Sequence, residues 1–138
     1  MPKGRHCRHE GKCACSCEMG NIYRFAEPVV LLTIARLGDA YGYLIAQEAD
    51  TLAVTHAGLD TAVIYRTLHR LEVAGKITSS WDTEGSGPAR RLYRLTEDGW
   101  HHVAEWGDVL DGLVLSLIKL RDGCRDAVRE RTGSTGQN

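Results

Sequence analysis

The chain of 138 residues sets 17 Lys and Arg against 18 Asp and Glu, with 43% hydrophobic and 25% charged residues, an ordinary globular balance for one domain plus an extension. A net charge of -1 excludes a nucleic-acid binder working through bulk charge, so any affinity for a polyanion has to be local. No apolar run is long enough to span a bilayer and the first residues lack an apolar signal core, so no membrane partner and a cytoplasmic location are expected.

Residues 1–24 read as a Cys-rich arm. Cys7, Cys13, Cys15 and Cys17 fall within eleven residues, with His6 and His9 beside them. A reducing compartment disfavours structural disulfides, and thiolates this close repel one another unless a metal ion or iron–sulfur cluster neutralises them. The two-residue spacing of paired zinc ligands is absent. Alternate residues of an extended chain lie about 6.6 Å apart, whereas two sulfurs on one tetrahedral zinc lie roughly 3.8 Å apart. Cys13, Cys15 and Cys17 therefore need a tight bend or a polynuclear centre. Two readings stay open: a metal or cluster site on the four cysteines, not decided between zinc, copper and iron–sulfur, and a flexible arm acting as a thiol switch.

Residues 25–96 read as one α+β domain, mostly α. Pro28 suits the first position of a helix, Val29 to Leu37 is almost continuously apolar, as in a central helix, and Gly38-Asp39 ends it. Tyr41-Gly42-Tyr43 opens a second helix running through Leu44, Ile45, Ala46 and Ala49 to about Leu52, and Val54 to Leu59, with Gly58, is a turn. The spacing then predicts an amphipathic helix over 60–73. Ile64, Leu68 and Leu71 share one side with Thr67; Ala62, Arg66, His69 and Val73 stand opposite, with Tyr65 and Arg70 on the flanks. The first face wants a core and the second a polar, negatively charged partner.

Gly75 suits the left-handed residue that stops such a helix. Lys76 to Trp81 and Arg90 to Leu95 read as paired strands, with Ile77, Trp81, Leu92, Tyr93 and Leu95 suited to a half-buried sheet. Asp82 to Ala89, holding Gly85, Gly87 and Pro88, is the hairpin tip. Arg90, Arg91 and Arg94 cluster just beyond it. An isolated charge run is usually a solvated face. A helix with an Arg, His and Tyr outer face feeding a basic hairpin is instead the element order of a winged helix-turn-helix DNA reader, helix in the major groove and hairpin on the backbone. The candidate DNA-binding residues are Thr61, Ala62, Tyr65, Arg66, His69, Arg70, Arg90 and Arg91. Arg66 and His69 can donate to guanine edges or phosphate, and Ala62 is small enough to approach a thymine methyl. Tyr65 suits either a phosphate contact or packing on the wing.

Thr96 is a candidate N-cap, with Glu97 and Asp98 at the positive end of a long helix over 97–128. Val103, Trp106, Leu110, Leu113, Leu117, Leu120 and Cys124 recur alternately every three and four residues, a coiled-coil seam. Val109, Val114, Leu115 and Ile118 widen the stripe. Both rows together imply a partner, expected to be a second copy in a two-fold dimer. The competing reading is a helix broken at Gly107, Gly112 or Gly123 and folded back on its own domain. Cys124 reads as a small hydrophobe, His101 and His102 as surface residues, and 129–138 as a disordered tail.

These residues resemble the PadR-like transcriptional regulators. The resemblance rests on Gly42-Tyr43, on Ala62-Val63-Ile64-Tyr65-Arg66-Thr67-Leu68-His69-Arg70-Leu71-Glu72, on Gly87-Pro88-Ala89-Arg90-Arg91-Leu92-Tyr93-Arg94-Leu95-Thr96, and on Gly99. Many relatives carry Pro where this chain has Arg66, so base preference does not transfer. The resemblance implies that Tyr65 and Arg90 hold phosphates and that the outer helix residues meet bases. It also implies that Trp100 and Trp106 line an apolar pocket for a flat small molecule, although Trp106 equally suits a simple core. The function expected is a dimeric, sequence-specific DNA-binding transcriptional regulator, a repressor on a palindromic operator, responsive to a small-molecule effector, metal or redox state. The alternative is a metal-binding or redox-sensing protein that uses the winged helix as a protein-interaction scaffold. No nucleophile stands with a base and oxyanion donors, so no enzyme is expected.

Overall fold

A computed structural model of the chain describes residues 25–52, 60–134 and 136. The elements run α1 (Ala26–Leu37), β1 (Ala40–Tyr41), α2 (Gly42–Thr51), α3 (Thr61–Val73), β2 (Ile77–Asp82), β3 (Arg90–Leu95) and α4 (Glu97–Ser134). Two compact units divide within α4, between Val103 and Ala104. The expected turn at Val54 to Leu59 and the Cys-rich arm lie outside the described residues.

In the first unit α1 is the central helix, packed on α2, α3 and β3. It begins at Ala26, two residues before Pro28, which still lies in the first turn, where a missing N–H costs no intrahelical bond. Ala26, Val29, Val30, Leu31 and Ile34 of α1 meet Ile45, Ala49, Ile64, Leu68 and Leu71 in the core. Two threonines are buried with them. Thr33 and Thr67 donate their hydroxyls to the carbonyls of Val29 and Val63, 2.7 and 2.8 Å away, so neither brings an unsatisfied polar group into the core.

Asp60 caps α3, its side chain accepting from the Ala62 N–H at 3.0 Å. The other end closes as a Schellman turn: Gly75 takes φ 76°, its N–H reaches the Glu72 carbonyl, and the Lys76 N–H reaches the Leu71 carbonyl. That reversal sends the chain straight into β2. The antiparallel sheet has the order β1-β3-β2, and in the hairpin Ile77 pairs with Leu95, Ser79 with Tyr93 and Trp81 with Arg91. The short β1, which hydropathy alone does not announce, pairs Ala40 with Tyr93 and Tyr41 with Leu92. Trp81 departs from the half-buried expectation: on the edge strand β2 it is 64% exposed.

Thr96 caps α4 as expected, accepting from the Gly99 N–H at 3.0 Å, and its hydroxyl also reaches the Gly75 and Lys76 carbonyls. The second unit is the rest of α4. The helix runs unbroken through Gly107, Gly112 and Gly123, so none of them breaks it. It also continues to Ser134, correcting the expectation of disorder from Arg129. Arg129, Glu130 and Arg131 favour a helix, and the Thr132 hydroxyl reaches the Val128 and Arg129 carbonyls. Among the described residues no helix is long and apolar enough to cross a membrane.

Candidate nucleic-acid interface

The periodicity of α3 separates a buried stripe from an outward one. Val63, Ile64, Thr67, Leu68 and Leu71 are buried, whereas Thr61, Ala62, Tyr65, Arg66, His69 and Arg70 are all exposed. Among the described residues no ion pair engages Arg66 or Arg70. An open cleft of about 570 Å³, lined by Val63, Arg66, Thr67 and Arg70, runs beside them. Two cations and an imidazole within one helical turn offer donors and no acidic counterpart, which suits an electronegative partner.

A second set of groups gathers where α2 opens. A β-carbon on Gly42 would lie 3.0 Å from Cε1 and 3.2 Å from the hydroxyl of Tyr65, so the absence of a side chain lets the Tyr65 ring rest on the first turn of α2. Tyr41 and Tyr43 stack at 5.8 Å with planes 6° apart. The Arg90 guanidinium sits 5.6 and 5.7 Å from their ring centres and donates to the Tyr43 hydroxyl at 3.4 Å. Such contacts orient a guanidinium without neutralising it. Tyr41 is fixed in turn by donating its hydroxyl to Asp82. That bond raises the Tyr41 pKa and lowers that of Asp82, which also accepts from the Glu84 N–H.

The other wing arginines are engaged with carboxylates. Arg94 pairs with Asp39, and this bond holds the Asp39 carboxyl below its ordinary range and raises Arg94. Arg91 reaches both Glu72 oxygens from Nη2, at 3.1 and 3.3 Å, and donates from Nε to the Ser79 hydroxyl at 2.9 Å. Ser79 donates to Glu72 at 2.5 Å. The expected cluster of three outward arginines is thus divided by the strand pleat: Arg90 and Arg94 lie on one face of β3 and Arg91 on the other. Sequence reasoning missed Tyr41, Tyr43, Glu72 and Ser79. The register of Ser79 with Tyr93 and of Trp81 with Arg91 is the signal that places Ser79 and Arg91 on one face.

The remaining expectations fall elsewhere. Val103, Trp106 and Leu110 of α4 are half-buried, while Leu113, Leu117 and Leu120 are exposed in the single chain. Trp100 is 51% exposed. His102 departs from a surface role: half-buried, it meets Glu27 of α1. Cys7, Cys13, Cys15 and Cys17 lie outside the described residues, among which no group of His, Cys, Asp and Glu could hold a metal ion.

Residues 30–105 match the family described as "Transcriptional regulator PadR-like family". Among solved structures, a potential transcriptional factor of unknown function, TM0937, superposes with TM-score 0.66 at 23% identity, covering 88% of this chain and 99% of its own. A PadR family transcriptional regulator from Eggerthella lenta gives TM-score 0.54 at 28% identity, covering 74% of this chain and 90% of its own. BpsR of Bordetella bronchiseptica, whose DNA binding is regulated by 6-hydroxynicotinic acid, gives TM-score 0.51 at 21% identity over 66% of this chain and 61% of its own. Comparison with curated proteins gives no significant match.

Proposed function

The chain belongs to the PadR-like family of transcriptional regulators, and from that premise we propose that it acts as a dimeric repressor reading a palindromic operator. DNA binding and transcriptional regulation come with the family, and the protein is not an enzyme. The finer reading is carried by one observation: the outward Thr61, Ala62, Arg66, His69 and Arg70 of α3 share a unit with an aromatic-mounted Arg90 that forms no ion pair within 4 Å among the described residues. In this reading α3 enters the major groove, with Arg66 and His69 at base edges and Ala62 against the groove floor. Arg90, Tyr65 and Tyr43 meet the sugar–phosphate backbone beside the first turn of α2, whose free N–H groups favour an anion.

The apolar rows of α4, Val103, Trp106, Leu110, Leu113, Leu117 and Leu120 among them, join two copies. Two-fold symmetry then sets two copies of α3 about one turn of DNA apart. Occupation of such a site by the dimer blocks transcription. Two inputs are proposed for release: a metal ion or iron–sulfur cluster at Cys7, Cys13, Cys15 and Cys17, and a flat small molecule near Trp100 and Trp106. The fold shared with BpsR, whose DNA binding responds to 6-hydroxynicotinic acid, supports the second only as a precedent on this scaffold.

The test is a paired substitution, Arg66→Ala with Arg90→Ala. Loss of the Arg90 phosphate contact should lower the dependence of log affinity on log salt by about 1, and with the Arg66 base contact also gone duplex retention at moderate salt should disappear. Retention unchanged in the double variant, with its fold intact by circular dichroism, overturns the contact assignment.

A further inference from the structure

The wing of this protein carries three arginines, and the groups around them assign them different work. We infer that Arg91, with Glu72 and Ser79, is a positioning clamp that sets the angle of the wing against α3, leaving Arg90 as the wing cation that meets phosphate. The inference rests on the DNA-binding reading and refines it, since the order Arg90-Arg91 by itself offers two equivalent contacts.

The clamp joins three elements. Glu72 stands in the last turn of α3, Ser79 is on β2 and Arg91 on β3. Arg91 holds Glu72 through both carboxylate oxygens and Ser79 through Nε, and the Ser79 hydroxyl closes the ring by donating to Glu72. The guanidinium also lies 5.7 Å from the Trp81 ring centre and 5.8 Å from that of Tyr93. Two of its three nitrogens are therefore engaged, with two aromatic rings beside it. A phosphate approaching Arg91 would be brought up against the Glu72 carboxylate. Were Arg91 to leave for DNA, Glu72 would remain as an unpaired anion beside the polyanion, and its repulsion opposes the exchange.

Position along the hairpin gives the clamp its purpose. The turn at Ala74 to Lys76 carries the chain from α3 to β2, and β1 pairs with β3 on the opposite edge of the hairpin. A tie at Ser79 and Arg91, further out along the strands, fixes the separation between a helix in the major groove and a tip on the adjacent backbone. Lys is a poor substitute, because one ammonium nitrogen cannot meet Glu72 and Ser79 from two fixed, separated positions as Nη2 and Nε do.

The experiment uses the full chain and a duplex that the wild-type protein selects from a randomised library, with folding of each variant followed by circular dichroism. Arg91→Ala should weaken binding while leaving the salt slope as in wild type, whereas Arg90→Ala should lower that slope by about 1. Glu72→Gln, the milder change, should weaken binding. The exchanged pair Glu72→Arg with Arg91→Glu should bind at least about threefold more tightly than Arg91→Glu alone, the coupling expected of a direct pair. A slope lowered by about 1 in Arg91→Ala, tighter binding by Glu72→Gln, or no gain in the exchanged pair each overturns the clamp and makes Arg91 a phosphate ligand. A wild-type chain that enriches no sequence overturns the DNA-binding reading, and the clamp's purpose with it.

Discussion

A β-carbon at residue 99 would sit 2.0 Å from the Lys76 carbonyl oxygen, with the Leu95 side chain at 3.0 Å. The first turn of α4 lies directly against the turn that ends α3, and only glycine admits that approach. Gly107 on the same helix meets nothing within 4 Å. The two positions should therefore respond oppositely to one methyl group. Gly99→Ala should cost at least about 2 kcal/mol by forcing the turn and the helix apart, while Gly107→Ala should gain about 0.5–1 kcal/mol through helix propensity. Urea denaturation of the two variants measures both. Arg90 and Arg91 make a similar point about identity and environment: one rests on tyrosines and the other grips a carboxylate.

Between elements, the first unit is tied by exposed and half-buried carboxylates as well as by its core. Asp39, after α1, holds Arg94 of β3; Asp82 of β2 accepts from Tyr41 of β1; Asp98 of α4 holds Lys76, ahead of β2, at 2.7 Å. All three carboxyls lie below their ordinary value of 3.8, chiefly because of the bonds from Arg94, Tyr41 and Lys76 respectively. A lowered folded-state pKa means that the unfolded chain takes up protons first as pH falls. The stability these groups contribute is complete above pH 3.8 and is lost as pH drops below it through the folded-state values. Stability measured against pH should therefore decline across that acid window. Asp39→Asn should flatten the decline, and an unchanged profile would remove the Asp39–Arg94 tie from the account. High salt should weaken these exposed pairs.

At the scale of the whole molecule, α4 beyond Val103 presents Val109, Leu113, Val114, Leu115, Leu117, Ile118 and Leu120 as exposed apolar residues in the single chain. Contiguous apolar surface of this kind marks an interaction face, and the proposed occupant is a second copy. Leu117→Glu should convert dimer to monomer in light scattering. Because a monomer engages one half-site, it should also weaken operator binding by roughly a hundredfold; a dimer that persists moves the interface elsewhere. The arm before α1 is tested separately. Anaerobic purification followed by absorption spectroscopy and metal analysis should find a stoichiometric centre, absent when Cys13, Cys15 and Cys17 are changed to Ser. Loaded and empty forms should then differ in operator affinity, whereas no centre in the wild type leaves the neighbourhood of Trp100 and Trp106 as the proposed input.

The sequence by itself determined the elements whose signals are local. The 3.6-residue period of α3 separates Ile64, Thr67, Leu68 and Leu71 from Arg66, His69 and Arg70, Gly75 terminates the helix, and Thr96 starts the next one. These follow from backbone geometry that each short stretch carries within itself. The tertiary structure decided what depends on residues far apart in the chain. The two-residue β1 exists only because β3 lies beside it, and Trp81 is exposed because β2 is an edge strand. Arg91 and Arg94 are bound because folding delivers Glu72 and Asp39 to them, while Arg90 lies on the Tyr41 and Tyr43 rings and forms no ion pair within 4 Å among the described residues. Charge is written in the sequence, but whether it is spent inside the protein or offered to a partner is settled by which opposite charge the fold brings within reach.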